Sequence, residues 1–397
     1  MTSTASPPAP TTGTTSDRPT HLLALDGYRA VAAIMVLLTH VAFSTGALVA
    51  STWGHILGRL DFGVTLFFLL SGFLLYRPWA KAALHDAPTP ALTTYAKRRA
   101  ARILPLYWLV VAVVLLTLPE LRPVSASTWW RHVFAVQIYG SDGTVEGLTQ
   151  TWSLCTEIAF YAVLPVLGWL ALGGRRGDLE ARWRRQWSML ATCVVIALVF
   201  VGVRAFTGVL PNESGYWLPF YLDWFAAGMG LAVLEASLRL AEPPRVAVLA
   251  QRLARDEWTA VAVAVALFAV VATPLGGGYA FNQATGPWEM LARHVLYCLI
   301  GVAILAPCVL GGDSWLTRAL SRRGPHRVGL ISYGVFLWHV FLLRVIMTGL
   351  GIPLFSGGFW LVAALVLGAT LVVSAVTYRL VERPAQRWAQ RAAPSSR

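Results

Sequence analysis

Charge is scarce in this 397-residue chain: Asp, Glu, Lys and Arg make up 13% of it, against 56% hydrophobic residues and a mean hydropathy of +0.60. Ordinary soluble domains carry about 25% charged residues, so a water-soluble globule is excluded. Cysteine is scarce too. Cys155, Cys193, Cys298 and Cys308 have no C-x-x-C spacing and fall within apolar runs, which points to packing residues and away from disulfides or metal ligands. The sequence has no long polar stretch between its apolar runs and no internal repeat. The first absence argues for one membrane domain, and the second against a transporter built from inverted halves.

What is present is a series of apolar runs. Crossing a hydrocarbon core of about 30 Å takes about 20 residues of helix. Ten runs qualify, at approximately 28–50, 62–79, 104–118, 152–172, 188–207, 216–238, 258–275, 289–310, 328–348 and 358–379. The first begins too far from the start for a signal peptide and contains Arg29 and His40, so it reads as a retained helix. The expected fold is an all-α polytopic membrane protein of about ten transmembrane helices, occupying residues 22–384. A tail at 1–21, chiefly Thr, Ser, Pro and Ala, is expected to be disordered. Residues 385–397 form a basic tail.

The net charge of +13 raises the question of a nucleic-acid partner, but its distribution points elsewhere. With a cytoplasmic N-terminus, the inner loops hold Arg77, Lys81, Lys97 to Arg102, Arg175, Arg176, Arg182, Arg184 and Arg185. They also hold Arg239, Arg245, Arg252, Arg255, Arg318, Arg322, Arg323, Arg327 and the tail from Arg379. The outer loops hold Arg59, Arg122 and Arg131. That asymmetry follows the positive-inside rule and predicts both termini in the cytoplasm of a bacterial inner-membrane protein, with the lipid bilayer and not nucleic acid as its surroundings. The longest outer connection, about 119–151, contains Trp129, Trp130, Asp142 and Glu146, and its aromatic part is expected at the interface.

Titratable groups within spans are costly and mark sites or pathways. Arg29 and His40 lie eleven residues apart in the first run, on nearly the same helical face and roughly 16 Å apart along the axis. A coenzyme A thioester has phosphates at one end and a reactive carbonyl at the other, so it needs a cation at the membrane surface and a base inside. Histidine suits the base. The spacing equally fits a core histidine beyond a snorkelling arginine.

Ser71 and Gly72 are expected near mid-membrane, at the depth of His40, where Ser71 would donate to a thioester oxygen and the pair would let helices approach. Packing alone explains both equally well. Arg99 and Arg102, three apart at the mouth of the third span, would clamp phosphate or serve only as a topology signal. Glu157, about one and a half turns below the outer surface, needs a partner or a proton. It would bind an incoming hydroxyl, orient His40, or pair with Arg204 or Arg293. Asp223 in the sixth span is a similar, less specific case. In the ninth span, His339 is expected near mid-membrane after Ser332 and Tyr333, in a supporting or acceptor-binding role. No carboxylate or cysteine at suitable spacing accompanies the two histidines, so a metal site is not expected.

Taken in order, these segments resemble the acyltransferase-3 family of bacterial membrane O-acyltransferases over roughly residues 22–384. The elements are Leu25-Asp26-Gly27-Tyr28-Arg29 with His40 following, Phe67-Phe68-Leu69-Leu70-Ser71-Gly72-Phe73, and Arg99-Ala100-Ala101-Arg102-Ile103-Leu104-Pro105-Leu106-Tyr107-Trp108. Then come Trp152-Ser153-Leu154 with Glu157 and Phe160-Tyr161, Ser332-Tyr333 with His339, and Glu382-Arg383-Pro384. Each is weak alone and the ordered set is specific. Tyr28 stands where Leu is frequent, and Cys155 where the family varies. The resemblance implies ten-span proteins that move acetyl or other short acyl groups from acyl-CoA, a substrate and not a bound cofactor, to hydroxyls of sugars, glycolipids, peptidoglycan or polyketides. It implies Arg29 and His40 as the essential pair and Arg99 with Arg102 as donor-binding. Many relatives append an extracytoplasmic hydrolase-like domain, and no counterpart is expected here, so the acceptor stays open.

A transporter or lipid flippase is the rival class, because intramembrane Arg, His and Glu also build substrate and proton paths. The other membrane acyltransferase class with an intramembrane His ranks lower, lacking its Asn and His arrangement here, and a non-catalytic scaffold lower still. The oligomeric state is not readable.

Overall fold

A computed structural model describes residues 20–118, 123–140, 144–173, 177–279, 283 and 285–391. The expected N-terminal disorder, Arg122, Asp142, Arg175, Arg176 and the end of the basic tail lie outside the described residues. Ten helices coincide with the ten runs: α1 Thr20–Ser44, α2 Gly63–Leu84, α3 Leu92–Thr117, α4 Thr151–Leu172, α5 Leu179–Thr207, α6 Leu218–Ser237, α7 Glu257–Val271, α8 Pro287–Ala306, α9 Ser332–Gly349 and α10 Phe359–Thr377. Short helices Arg245–Arg255, Arg323–Leu330 and Arg383–Arg391 gather at one end, which is called the basic end below.

Among the described residues nine helices are long and apolar enough to cross a membrane, one fewer than the sequence suggests. The shortfall is α7, with 15 residues, or about 22 Å at the α-helical rise. Both its ends are fixed by local chemistry. Asp256 caps the start by accepting from the Thr259 amide. At the other end, Pro274 disfavours helical geometry at Thr273, which is extended at φ −80°, ψ 174°.

The most intimate helix pair is α2 with α6. Gly72 on α2 and Gly228 on α6 bring the backbones together: a Cβ on Gly72 would run into the Phe225 carbonyl, and one on Gly228 into the Leu69 carbonyl. Without water to drive helix association, such close approach supplies the packing energy. Phe225 stacks between Phe68, at 4.6 Å, and Phe160, at 3.9 Å, which ties α2, α4 and α6 into one core. A Gly72→Val protein is therefore expected to lose about 1–3 kcal/mol from overpacking, read as earlier unfolding in a detergent thermal-melt assay.

Part of the connection before α4 is buried among the described residues. Gln137, Ile138, Leu148, Gln150 and Thr151 are all at most 1% exposed. Gln137 donates to Thr151 Oγ at 3.0 Å, and Gln150 donates to the Leu337 carbonyl of α9 at 2.7 Å. Helix α4 thus starts inside the bundle. Of the two loop tryptophans, Trp130 is 50% exposed, while Trp129 packs against the core that contains α3.

Candidate active site

At the basic end, three arginines converge from two helices. Arg99 and Arg102 share a face of α3 because they are three residues apart, and Arg29 comes from the third turn of α1, held by Asp26 at 3.3 Å. All three line both an outer vestibule of about 450 Å³ and a deeper cavity of about 320 Å³. The deeper cavity is completed by Ser71, Glu157, Tyr161 and Tyr333. Ser71 and Tyr161 both donate to Glu157 Oε1, the tyrosine at 2.6 Å. Arg99 lies 6.0 Å from the Tyr161 ring centroid, and its Nε has no hydrogen-bond partner among the described residues. Tyr333 donates to the Ile103 carbonyl at 2.9 Å, which docks α9 against the arginine helix. The result is a cationic funnel whose carboxylate is pinned by two hydroxyls.

Phe336 closes the inner end of this cavity. Its ring meets Phe67 at 6.0 Å and His339 at 6.1 Å between centroids, and His339 in turn meets His40 edge-on at 5.1 Å. His339 is completely buried. Its Nδ1 lies 2.8 Å from the Phe336 carbonyl, so that nitrogen carries the proton and Nε2, which has no partner among the described residues, is the bare acceptor. His40 faces away from the arginines, into a cavity of about 550 Å³ that opens at the other end of the bundle. Arg344 and Glu146, 3.3 Å apart, stand at that cavity's wall. An arginine-lined cavity and a histidine-lined cavity therefore meet back to back across an aromatic layer.

Such an arrangement can hold an anionic donor at one end and a second reactant at the other. A family model described as an acyltransferase domain matches residues 22–379. The chain belongs to the acyltransferase-3 family. The exopolysaccharide production protein ExoZ of Rhizobium meliloti is 30% identical over 82% of this chain and 89% of its own length. The putative peptidoglycan O-acetyltransferase YrhL of Bacillus subtilis is 27% identical over 91% of this chain, and the acyltransferase MdmB of Streptomyces mycarofaciens is 26% identical over 95%. The chain spans about half the length of the peptidoglycan O-acetyltransferases it matches, 54% and 55%. No solved structure matches it. Family membership gives it an acyltransferase domain and, with its apolar helices, makes it a multi-pass protein of a bacterial membrane.

Within this acyltransferase fold the residues singled out from sequence divide into groups. Arg29, Arg99, Arg102, Ser71, Glu157 and Tyr333 share the arginine cavity, and His40 and His339 share the layer beyond it. Glu157 neither touches His40 nor pairs with Arg204 or Arg293, which line a separate cavity. The depth expected for it was too shallow because α4 begins within the bundle, so two turns of helix carry Glu157 to the arginines. Ser71 gives its proton to Glu157 and lines the arginine cavity, not the His40 cavity. Gly72 turns from the cavity onto Phe225 and serves packing. Asp223 is bound to His294 Nε2 at 2.9 and 3.0 Å, away from both histidines of the layer.

Sequence reasoning assigned no role to Tyr161, although its position one turn after Glu157 placed it on the same face. Phe67 entered only as part of a family element, with no role of its own, and Phe336 gave no signal beyond apolar character. His294 lies 71 residues from its partner Asp223 and had no local signature at all.

Proposed function

We propose that this chain is an acyl-CoA-dependent O-acyltransferase that transfers an acetyl or other short acyl group to a hydroxyl of a carbohydrate, glycolipid or polyketide acceptor. The observation that carries the reading is the back-to-back pair of cavities, with Arg29, Arg99 and Arg102 in one and His40 in the other. In this reading the basic end faces the cytoplasm, with both termini there and α7 as a short tenth crossing, as the distribution of arginine supports. The names of relatives, which include peptidoglycan O-acetyltransferases and an exopolysaccharide production protein, favour a cell-envelope saccharide.

The donor's phosphates sit against Arg99, Arg102 and Arg29, where guanidinium forks match phosphate geometry. Its pantetheine arm follows the cavity past Tyr161, and the thioester passes Phe336 when that ring swings from Phe67. His40 takes the proton of the acceptor hydroxyl as the hydroxyl oxygen bonds to the thioester carbonyl carbon. The tetrahedral intermediate then collapses, the C–S bond breaks, and the departing thiolate takes the proton from His40. His339 is a positioning residue: its Nδ1–H is tied to the Phe336 carbonyl, so its bare Nε2 suits a hydrogen bond from the His40 ring. Glu157, pinned by Ser71 and Tyr161, balances the arginines before the donor arrives.

Purified protein in detergent is expected to release free thiol from acetyl-CoA in the presence of acceptor, with no sealed compartment. A transporter would instead show substrate movement only in closed vesicles, and the absence of any thioester turnover in detergent would overturn the assignment.

A further inference from the structure

Beside the His40 cavity lies another of about 230 Å³, enclosed by α2, α4, α5, α6 and α8. Asp61, Val64 and Trp152 line both, so the two cavities abut, with these three side chains between them. Two arginines face this side cavity, Arg204 from α5 and Arg293 from α8. Each is steadied by one backbone carbonyl, Arg204 by Asn212 at 3.1 Å and Arg293 by Gly278 at 3.2 Å, which leaves most of each guanidinium's five donors for a ligand. The walls are aromatic. Trp152 packs against Tyr216 at 5.0 Å and Tyr221 at 5.4 Å, and Trp224 stacks on His294 at 4.8 Å.

The acids nearby offset this charge only in part. Asp223 is turned onto His294, at 2.9 and 3.0 Å. Asp61 accepts from Tyr297 and is the one carboxylate lining the cavity among the described residues. His294 is 3% exposed and also lines the cavity, yet its Nδ1 has no hydrogen-bond partner among the described residues. Buried polar atoms are ordinarily satisfied, and two guanidinium groups over aromatic walls make a receptor for an anionic group carried on a ring whose C–H face packs against them.

We propose that this side cavity is an acceptor subsite that recognises a carboxylate or phosphate group on the acceptor, placing a neighbouring hydroxyl at His40. The inference rests on reading the His40 cavity as the acceptor's. The cavity is smaller than ordinary ligand cavities of about 300–1,000 Å³, so it takes one charged substituent and its ring, while the rest of the acceptor lies in the His40 cavity.

The test is binding to the purified full-length chain, followed by calorimetric titration in detergent with methyl glucoside, methyl glucuronide and methyl glucoside 6-phosphate. The two charged sugars are expected to bind at least about tenfold more tightly than the neutral one, as charge-assisted contacts imply. Arg204→Gln and Arg293→Gln, made singly and together, are expected to erase that advantage. The wild-type comparison stands even if the double variant fails to fold. Equal binding of charged and neutral sugars, no binding of any, or an advantage that survives both substitutions overturns the proposal. Short-chain phosphatidylglycerol is the contrast: if it alone shows the arginine dependence, the cavity is a lipid-headgroup site and the acceptor assignment falls. Binding needs no turnover, so a chain that binds the charged sugars but never consumes acyl-CoA would fail the proposed function and not this inference.

Discussion

With His40 replaced by alanine, the protein is expected to insert and pack normally while its turnover of acyl-CoA with acceptor falls about 100- to 10,000-fold, the usual contribution of a general base. His40 is half-buried and lines a cavity, so its removal leaves the helix core intact. His339 is not placed to take over the proton: its Nε2 can accept, but the ring is completely buried and does not line the cavity that His40 faces. The Michaelis constant for the donor is expected to change little, because the arginines that bind it lie on the other side of Phe336. Steady-state kinetics in detergent, with a thermal melt to verify folding, checks both halves. A wild-type rate from a folded His40→Ala protein would remove His40 from the mechanism.

The second large effect concerns the donor. An Arg99→Ala, Arg102→Ala double variant is expected to raise the Michaelis constant for acetyl-CoA by about a hundredfold, taking roughly tenfold per lost charge-assisted contact, with kcat altered much less. Acetyl-pantetheine supplies the control. It has the thioester but no nucleotide phosphates, so the substitutions should cost it almost nothing. If the double variant handled both thioesters like the wild type, the arginine cavity would not be the donor's.

Much of this architecture was legible before any coordinates, for identifiable reasons. Runs of about 20 apolar residues have few alternatives to a crossing helix, and α1 to α6 and α8 to α10 follow them. Arg99 and Arg102 were readable as a pair because helical periodicity fixes which neighbours share a face. What escaped was tertiary. The sequence before α4 reads as an outer connection, yet Gln137, Gln150 and Thr151 are buried, and Gln150 donates to the Leu337 carbonyl of α9, a partner that only the folded bundle supplies. That sinking of α4 is why Glu157 was placed at the wrong depth. The contact of His40 with His339 joins residues 299 positions apart, and matched depth could suggest proximity but not ring-to-ring contact. The shortness of α7 was foreshadowed by Thr273-Pro274, where local chemistry outweighs hydropathy.

The layer formed by Phe67, Phe336, His339 and His40 has a bearing on energy conservation. Two cavities, each open at a different end of the bundle, would join into a wet channel if no apolar plug stood between them. A bacterial membrane holds a voltage, and each elementary charge that leaks through it dissipates about 2.3 kcal/mol per 100 mV. Rings in contact exclude the continuous file of water along which protons hop, while a planar side chain can rotate to admit a thioester and return. The Phe67–Phe336 contact that separates the reactants would thus also act as insulation, since the two imidazoles beyond it can carry protons themselves, and loosening it is expected to raise the proton leak.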